Sequence, residues 1–347
     1  MWSRVHTLFG VDLPIIQAPM AGVQDSALPL AVSNAGGLGM LACAMLDHQT
    51  CAGQLESMRA GTDKPFGVNF FSHVAGDPDQ EQARAWRTRF ESYYREFDVP
   101  SPDIPRTASR LPFDAKMAEL VEHFKPAVVS FHFGLPDDAL LQRVRRTGAR
   151  IVSSATTVQE ALWLERQGVD AIIAQGFEAG GHRGMFLTQD LDTQIGTLAL
   201  VTQLLKAVKL PVIAAGGISD AAGVRAMLEL GAVAAQVGTA YLLCPEATTS
   251  PLHRRALATA HERHTALTNV FTGRPARGIV NRLVGELGPV SPYAPAFPHA
   301  VFASSALRAK AEAQGKDDFS PLWCGQNASG CKQIPAAELT RELAGRL

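Results

Sequence analysis

Short apolar runs recur along the chain, each followed by a longer stretch with apolar positions at helical spacing. The runs are Pro14–Ala18, Gly37–Leu41, Phe66–Phe70, Ala127–Phe131, Arg150–Ser154, Asp170–Gln175, Pro211–Ala215 and Val233–Val237. Most are rich in Val, Ile, Ala or Phe and lack polar alternation, which predicts parallel strands buried on both faces. The stretches between them carry helix start and stop signals. Thr157-Val158-Gln159-Glu160 has capping-box spacing, and the segment it opens closes at Gly168. Ser219-Asp220 opens another that closes at Gly231, and Gly148 closes the one before Arg150. In each case the glycine leads almost directly into the next run, the cadence of βαβ units. Eight strands joined this way close into a (β/α)8 TIM barrel of the α/β class.

Two regions break the rhythm. One runs from about Ser72 to Arg110 and is polar, with Trp86, Tyr93, Tyr94 and several prolines. The other follows the eighth run, from about Cys244 to Trp323. Both read as an inserted and C-terminal helical lid region over one end of the barrel. His261 and His264, three apart, read as surface residues on a helix within it.

Composition removes several classes of function. A formal net charge of -1, with 19% of residues charged and well mixed, lacks the footprint of a nucleic-acid binder. Five scattered cysteines form no Cys-x-x-Cys pair, so neither a zinc ribbon nor a dithiol redox site is expected. The N-terminus has no apolar signal core, and no run reaches membrane-spanning length. A cytoplasmic protein without membrane or nucleic-acid partners is the expectation, with reduced thiols.

Candidate chemistry lies where strands end and βα loops begin, the active-site face of such barrels. Small, amide, hydroxyl and imidazole groups dominate there and carboxylates are scarce, which argues against a metal site or paired-carboxylate hydrolysis. Gly216 and Gly217 end the seventh run, with Ser219 opening a helix; Gly238 and Thr239 end the eighth, after Gln236 and Val237. Their backbone N–H groups and a helix dipole suit a phosphate. Pro19, Met20 and Ala21 form a small-residue loop that lets backbone lie beside a flat ring. Asn69 and Gln175 offer amides to ring carbonyls and nitrogens. The loop from Gln175 to Gly184 carries Gly180 and Gly181 and presents His182, while His132 ends the fourth run. Two imidazoles at neighbouring strand ends suit a general base or oxyanion partner near neutral pH.

The series Pro14-Ile-Ile-Gln-Ala-Pro-Met-Ala21, Lys64-Pro-Phe-Gly-Val-Asn69, Gln175 with Glu178-Ala-Gly-Gly-His182, Ala215-Gly-Gly-Ile218 and Gln236-Val-Gly-Thr239 resembles the nitronate monooxygenases. The likeness runs from about Pro14 to Leu243 and more loosely to the C-terminus, where Phe319-Ser-Pro-Leu-Trp323 through Gln326 also fits. It implies FMN, with its phosphate on Gly217, Gly238 and Thr239 and with Gly216, Gln236 and Val237 beside it. Asn69, Gln175, Gly180 and Gly181 would contact the rest of the cofactor, and Pro19, Met20 and Ala21 would flank the ring. His132 and His182 match the family's active-site histidines. Oxidation of alkyl nitronates by O2 to carbonyl compounds and nitrite is the activity implied, with propionate 3-nitronate the usual physiological substrate. On this reading residues 1–71 and 111–243 form the FMN-binding barrel and 72–110 an insertion over its mouth. Residues 244–347 form a C-terminal substrate-side region returning to the barrel, and the assembly is a monomer or homodimer. One departure stands out: where many relatives carry a pocket tyrosine, this chain has Phe297. The competing readings are an NAD(P)H:quinone oxidoreductase or enoyl-thioester reductase on the same flavin barrel, and a flavin-free barrel that grips phosphate.

Overall fold

The structure, a computed structural model, describes residues 3–74, 76–107, 111–260 and 264–345. Every expected run contains a strand: β1 (Ile15–Gln17), β2 (Gly39–Ala42), β3 (Phe66–Phe71), β4 (Val128–His132), β5 (Arg150–Ala155) and β6 (Ala171–Gln175). A two-residue strand, β7 (Gly181–His182), precedes β8 (Val212–Ala215) and β9 (Ala234–Val237). The eight long strands pair in parallel in the order β1-β9-β8-β6-β5-β4-β3-β2. A parallel bridge between Ile16 and Leu38 joins the two ends and closes the barrel. Its register sets Asn69 opposite Ser130, Gln175 opposite Ala215, and Ala215 opposite Gln236, bringing the chemistry-bearing strand ends level.

Successive strand residues divide between two cores, as the two-residue pleat requires. Met40, Val128, Val152, Ile173 and Ile213 fill the barrel interior, while Leu41, Val129, Ile172 and Val212 pack outward under the helices. Val5 and Phe9 of the helix Ser3–Phe9 join the interior cluster. Glycine stops behave as expected: Gly148, Gly168 and Gly231 have φ of +83°, +72° and +116°. Asp220 caps the helix Ala221–Leu230 through the N–H of Gly223. The capping box at Thr157 is half formed. Thr157 accepts from Glu160 N, but the Glu160 carboxylate turns to Thr156 and to the N–H groups of Phe186 and Leu187. A buried carboxylate collects the donors that tertiary packing brings to it.

The two off-rhythm regions pack against each other and form a second core. Helices Gln80–Thr88 and Glu91–Glu96, with Phe90 between them, supply Trp86, Phe90, Tyr93 and Tyr94, which meet Val270, Phe271, Leu283 and Phe319. Trp86 donates to Ala300 O at 3.0 Å and Tyr94 to Ala303 O at 2.8 Å. The C-terminal region contains helices Pro251–Ala258, Arg282–Leu287, Phe302–Ala313 and Ala336–Leu343. It also holds two strands that periodicity does not reveal, β10 (Thr265–Thr268) and β11 (Ala276–Ile279). These form an antiparallel sheet with β7. His264 therefore precedes a strand and is exposed, rather than sitting on a helix, and His261 lies outside the described residues. The helix Ala336–Leu343 returns to the barrel, where Leu339 and Leu343 pack with Leu28 and Val32. The five cysteines are unpaired.

Trp86 is fully buried in that second core and bonded through its indole. Trp86→Ala should cost about 3–5 kcal/mol of unfolding free energy, read from a urea titration. A loss under about 1 kcal/mol would mean the second core is not part of the cooperative fold.

Candidate active site

A cavity of about 500 Å³ opens at the C-terminal ends of the barrel strands. Pro19, Met20, Ala21, Asn69, His132, Gln175, Gly180, Gly181, His182, Gly216, Gly217, Gln236, Gly238 and Thr239 all line it. Val237 does not. It is buried in the shell between strand and helix, and its carbonyl accepts from Ala18 N at 2.8 Å. Inward and outward positions alternate along β9, so Gln236 and Val237 could not both face the cavity.

The loop after β1 is held by a glutamine network. Gln24 Oε1 accepts from Met20 N at 2.7 Å and from Gln17 Nε2 at 2.9 Å, and Gln24 Nε2 donates to Met40 O at 2.9 Å. Asn69 donates to Ser130 Oγ at 3.2 Å and Ser130 O at 3.3 Å, leaving its carbonyl oxygen for a ligand. Gln175 spends both ends on its own loop: Nε2 donates to His182 O at 2.9 Å, and Oε1 accepts from Gly184 N at 2.7 Å. Its second amide N–H remains.

That loop folds back so that β7 pairs with β11, His182 opposite Ala276. Gly180 permits this, because a Cβ there would stand 2.5 Å from Gly325 N. The His182 ring reaches Thr272 Oγ1 at 2.9 Å and is half-buried. His132 lies behind it. Its Nε2 donates to the His182 carbonyl at 3.1 Å, and its Nδ1 accepts from the Ser154 hydroxyl at 3.1 Å. Burial pushes the His132 pKa from 6.5 down to about 4, which favours this neutral tautomer.

The glycine loops after β8 and β9 form a concave face. Gly216 and Gly217 have φ of +120° and +69°. A Cβ at Gly216 would meet Thr197 Oγ1 at 2.7 Å. The N–H groups of Gly217, Gly238 and Thr239 find no acceptor among the described residues. Unpaired donors converging on a cavity suit an anion. Asp220 already caps the helix that follows, so these donors come from the loops rather than from its first turn. Two residues from the C-terminal region complete the face, Gly325 within the stretch that resembles the family and Asn327 just beyond it. Gly325 N donates to Thr239 Oγ1 at 3.0 Å, and Asn327 donates to Gly217 O at 3.0 Å.

Three guanidiniums, those of Arg183 and Arg277 buried and that of Arg274 half-buried, surround the site without a carboxylate in ion-pair reach among the described residues. Arg183 donates to Gly176 O at 2.7 Å and Gln175 O at 2.8 Å. Arg277 donates to Phe177 O at 3.0 Å, and Arg274 to Met185 O. Burial lowers all three pKa values, Arg183 to about 9 and Arg274 to about 10, so they stay charged near neutrality. The field in the cavity favours an anion. Arg183 follows His182 directly in sequence, and Gly325 falls in the Phe319-to-Gln326 stretch that resembles the family; nothing local marks Arg274, Arg277 or Asn327. Among the described residues no group of three or more His, Cys, Asp or Glu could hold a metal, and no helix is long and apolar enough to cross a membrane.

Comparison with known proteins follows the same lines. The family model of the nitronate monooxygenases matches residues 3–345. A nitronate monooxygenase of Pseudomonas aeruginosa is 43% identical over 350 residues, covering 100% of this chain and 99% of that relative. One from Paraburkholderia phytofirmans is 43% identical, covering 98% and 93%. The solved structure of a nitroalkane oxidase from Streptomyces ansochromogenes superposes with a TM-score of 0.88 at 37% identity, covering 99% of this chain and 97% of that one.

His253 is buried and His132 half-buried with its ring against Phe71 and Phe133, and loss of solvation moves both from 6.5 to about 4. As pH falls the unfolded chain takes up these protons first. The stability they confer is therefore complete above 6.5 and is lost as pH falls towards 4. Urea titrations between pH 7.5 and 5 should show this loss. His132→Gln should flatten its slope by up to about 1.4 kcal/mol per pH unit. An unchanged slope would show that His132 is already charged in the fold.

Proposed function

The chain belongs to the nitronate monooxygenase family, and from that premise we propose that its cavity holds FMN and uses it with O2 to oxidise alkyl nitronates to carbonyl compounds and nitrite. The observation that carries the reading is the meeting, in one cavity, of unpaired loop N–H donors with an imidazole set among buried guanidiniums. On this reading the phosphate lies against Gly217, Gly238 and Thr239, with Gly216 and Gln236 beside it. The Asn69 carbonyl oxygen and the remaining Gln175 N–H face the polar edge of the ring. Pro19, Met20, Ala21, Gly180 and Gly181 flank it with backbone and small side chains. When bound, FMN supplies the redox chemistry between nitronate and O2.

The protein's own part is position and charge. A nitronate is already an anion, so little proton abstraction is needed. His182, steered by Thr272, is the catalytic residue that holds the nitronate oxygens, and it serves as base if a neutral nitroalkane enters. His132, with both ring nitrogens spent on Ser154 and the His182 carbonyl, is a positioning residue. Arg183, Arg274 and Arg277 supply positive potential without touching the ligand. A cytoplasmic site of action belongs to the same proposal, in keeping with five unpaired cysteines.

The purified protein should be yellow, release FMN on denaturation, and form nitrite from alkyl nitronates under air. Colourless protein that takes up no added FMN would overturn the reading. Rapid flavin bleaching by NADH or NADPH without O2 would instead favour the reductase. His182→Ala should lower kcat/KM for a nitronate about 100-fold while keeping the cofactor. Gly217→Val, placed at φ +69°, should weaken FMN retention at least about tenfold, measured by dialysis and absorbance.

A further inference from the structure

His132 and His182 share the cavity wall with another imidazole, that of His253, which is only 4% exposed. His253 sits on the helix Pro251–Ala258, which is fixed beside the glycine cradle from two sides. On one side the next residue, Arg254, donates to Leu243 O at 2.8 Å and to Cys244 O at 2.9 Å. These carbonyls end the short helix Thr239–Leu243, which begins at the cradle itself. On the other side the His253 ring hydrogen-bonds the Trp323 main chain, and the bond favours a protonated ring nitrogen, so the ring is the donor there. Trp323 stands two residues before Gly325, whose N–H holds Thr239 Oγ1 at 3.0 Å. The imidazole therefore lies between the two chain segments that build the cradle. Its Nε2 is buried and has no hydrogen-bond partner among the described residues. Burial pushes the His253 pKa down to about 4, so near neutrality the ring carries one proton, the one given to Trp323 from Nδ1. That leaves Nε2 as a bare acceptor facing the ligand space.

A bare acceptor selects its partner by chemistry, since only an O–H or N–H can satisfy it. The nitronate group of an alkyl nitronate offers acceptors alone. FMN offers an N–H on the polar edge of its ring, which the proposed function sets against Asn69, and hydroxyls along the ribityl chain that joins ring to phosphate. We propose that His253 is a cofactor-binding residue whose Nε2 accepts a hydrogen bond from a ribityl hydroxyl of FMN. The proposal rests on reading the cavity as an FMN site. A buried acceptor left unpaired is costly, and a bound hydroxyl that pairs with it strengthens binding about tenfold. His253 thereby serves the part of the cofactor that lies between the groups served by the cradle and by Asn69.

The test reads flavin binding rather than turnover. The full chain is stripped of cofactor and titrated, by flavin fluorescence, with FMN, riboflavin and lumiflavin, which carries a methyl group in place of the ribityl chain. His253→Phe should weaken FMN and riboflavin about tenfold and leave lumiflavin within about twofold. His253→Gln, whose side-chain carbonyl offers an acceptor in place of Nε2, should recover most of the loss for FMN. An equal loss for all three flavins would make His253 a packing residue, and an unchanged FMN affinity would remove it from the site; either result overturns the proposal. A second measurement needs no variant that must fold. In protein carrying isotopically labelled histidine, the nitrogen resonance of the bare His253 Nε2 should move upfield on adding FMN and stay in place on adding lumiflavin. Movement with both, or with neither, overturns the proposal as well. If none of the three flavins binds the unaltered protein, the functional reading itself fails and takes this inference with it.

Discussion

The carbonyl oxygen of His182 accepts from Gln175 Nε2 and from His132 Nε2, and the geometry of the site depends on that pair of bonds. Each is a neutral bond worth about 0.5–1.5 kcal/mol net, but leaving such a carbonyl or its donors buried and unpaired costs about 1–3 kcal/mol. The two donors stand at the ends of β6 and β4, so the loop is pinned to the barrel at two points. Its remaining edge is pinned from outside by pairing with β11. The imidazole is thus placed by backbone, and its ring is left to face the cavity wall. Loss of solvation keeps His132 neutral near physiological pH, so its Nδ1 can accept from Ser154 while its Nε2 donates to the loop.

Charge is arranged on a different principle. Arg183, Arg274 and Arg277 spend hydrogen bonds on main-chain carbonyls, so their positive charge is not cancelled by a bonded carboxylate. Buried charge without a partner is costly, and an anion in the cavity recovers part of that cost. Glu160 and Glu178 are the acids whose charge acts on these arginines, and each is hydrogen-bonded elsewhere: Glu160 to N–H groups of the 186–187 turn, Glu178 to Thr197. A cavity with donors at the glycine loops and positive potential around His182 is suited to two anionic groups at once.

The second core ties the off-rhythm segments to the same site. Trp86 and Tyr94 bond to the carbonyls of Ala300 and Ala303, at the start of the helix whose Ser304, Ser305 and Arg308 line the cavity. Phe271 and Phe319 belong to that core and also line the cavity. The aromatics of the 72–110 segment therefore help set the position of one helix that lines the pocket, through packed rings and two main-chain bonds.

The barrel was legible in the chain because its signals are local. A strand buried on both faces must be a short apolar run, and a glycine ending a helix just before it shows where the next βα unit begins. Gly216, Gly217, Gly238 and Thr239 were legible as a cradle for the same reason, since backbone donors at strand ends follow from strand position alone. Side-chain facing was harder. Val237 turns into the shell because the pleat alternates, and a motif read as a string does not show which neighbour faces in. Strands β10 and β11 are stabilised by partners distant in sequence. Gly325 and Asn327 reach the cradle from about a hundred residues away, and no spacing in the chain shows which of its loops they meet. The roles of the two histidines were likewise decided in three dimensions. The chain placed both at strand ends, but only the folded loop shows that one imidazole holds the other's backbone, because hydrogen-bond partners are a property of space and not of spacing.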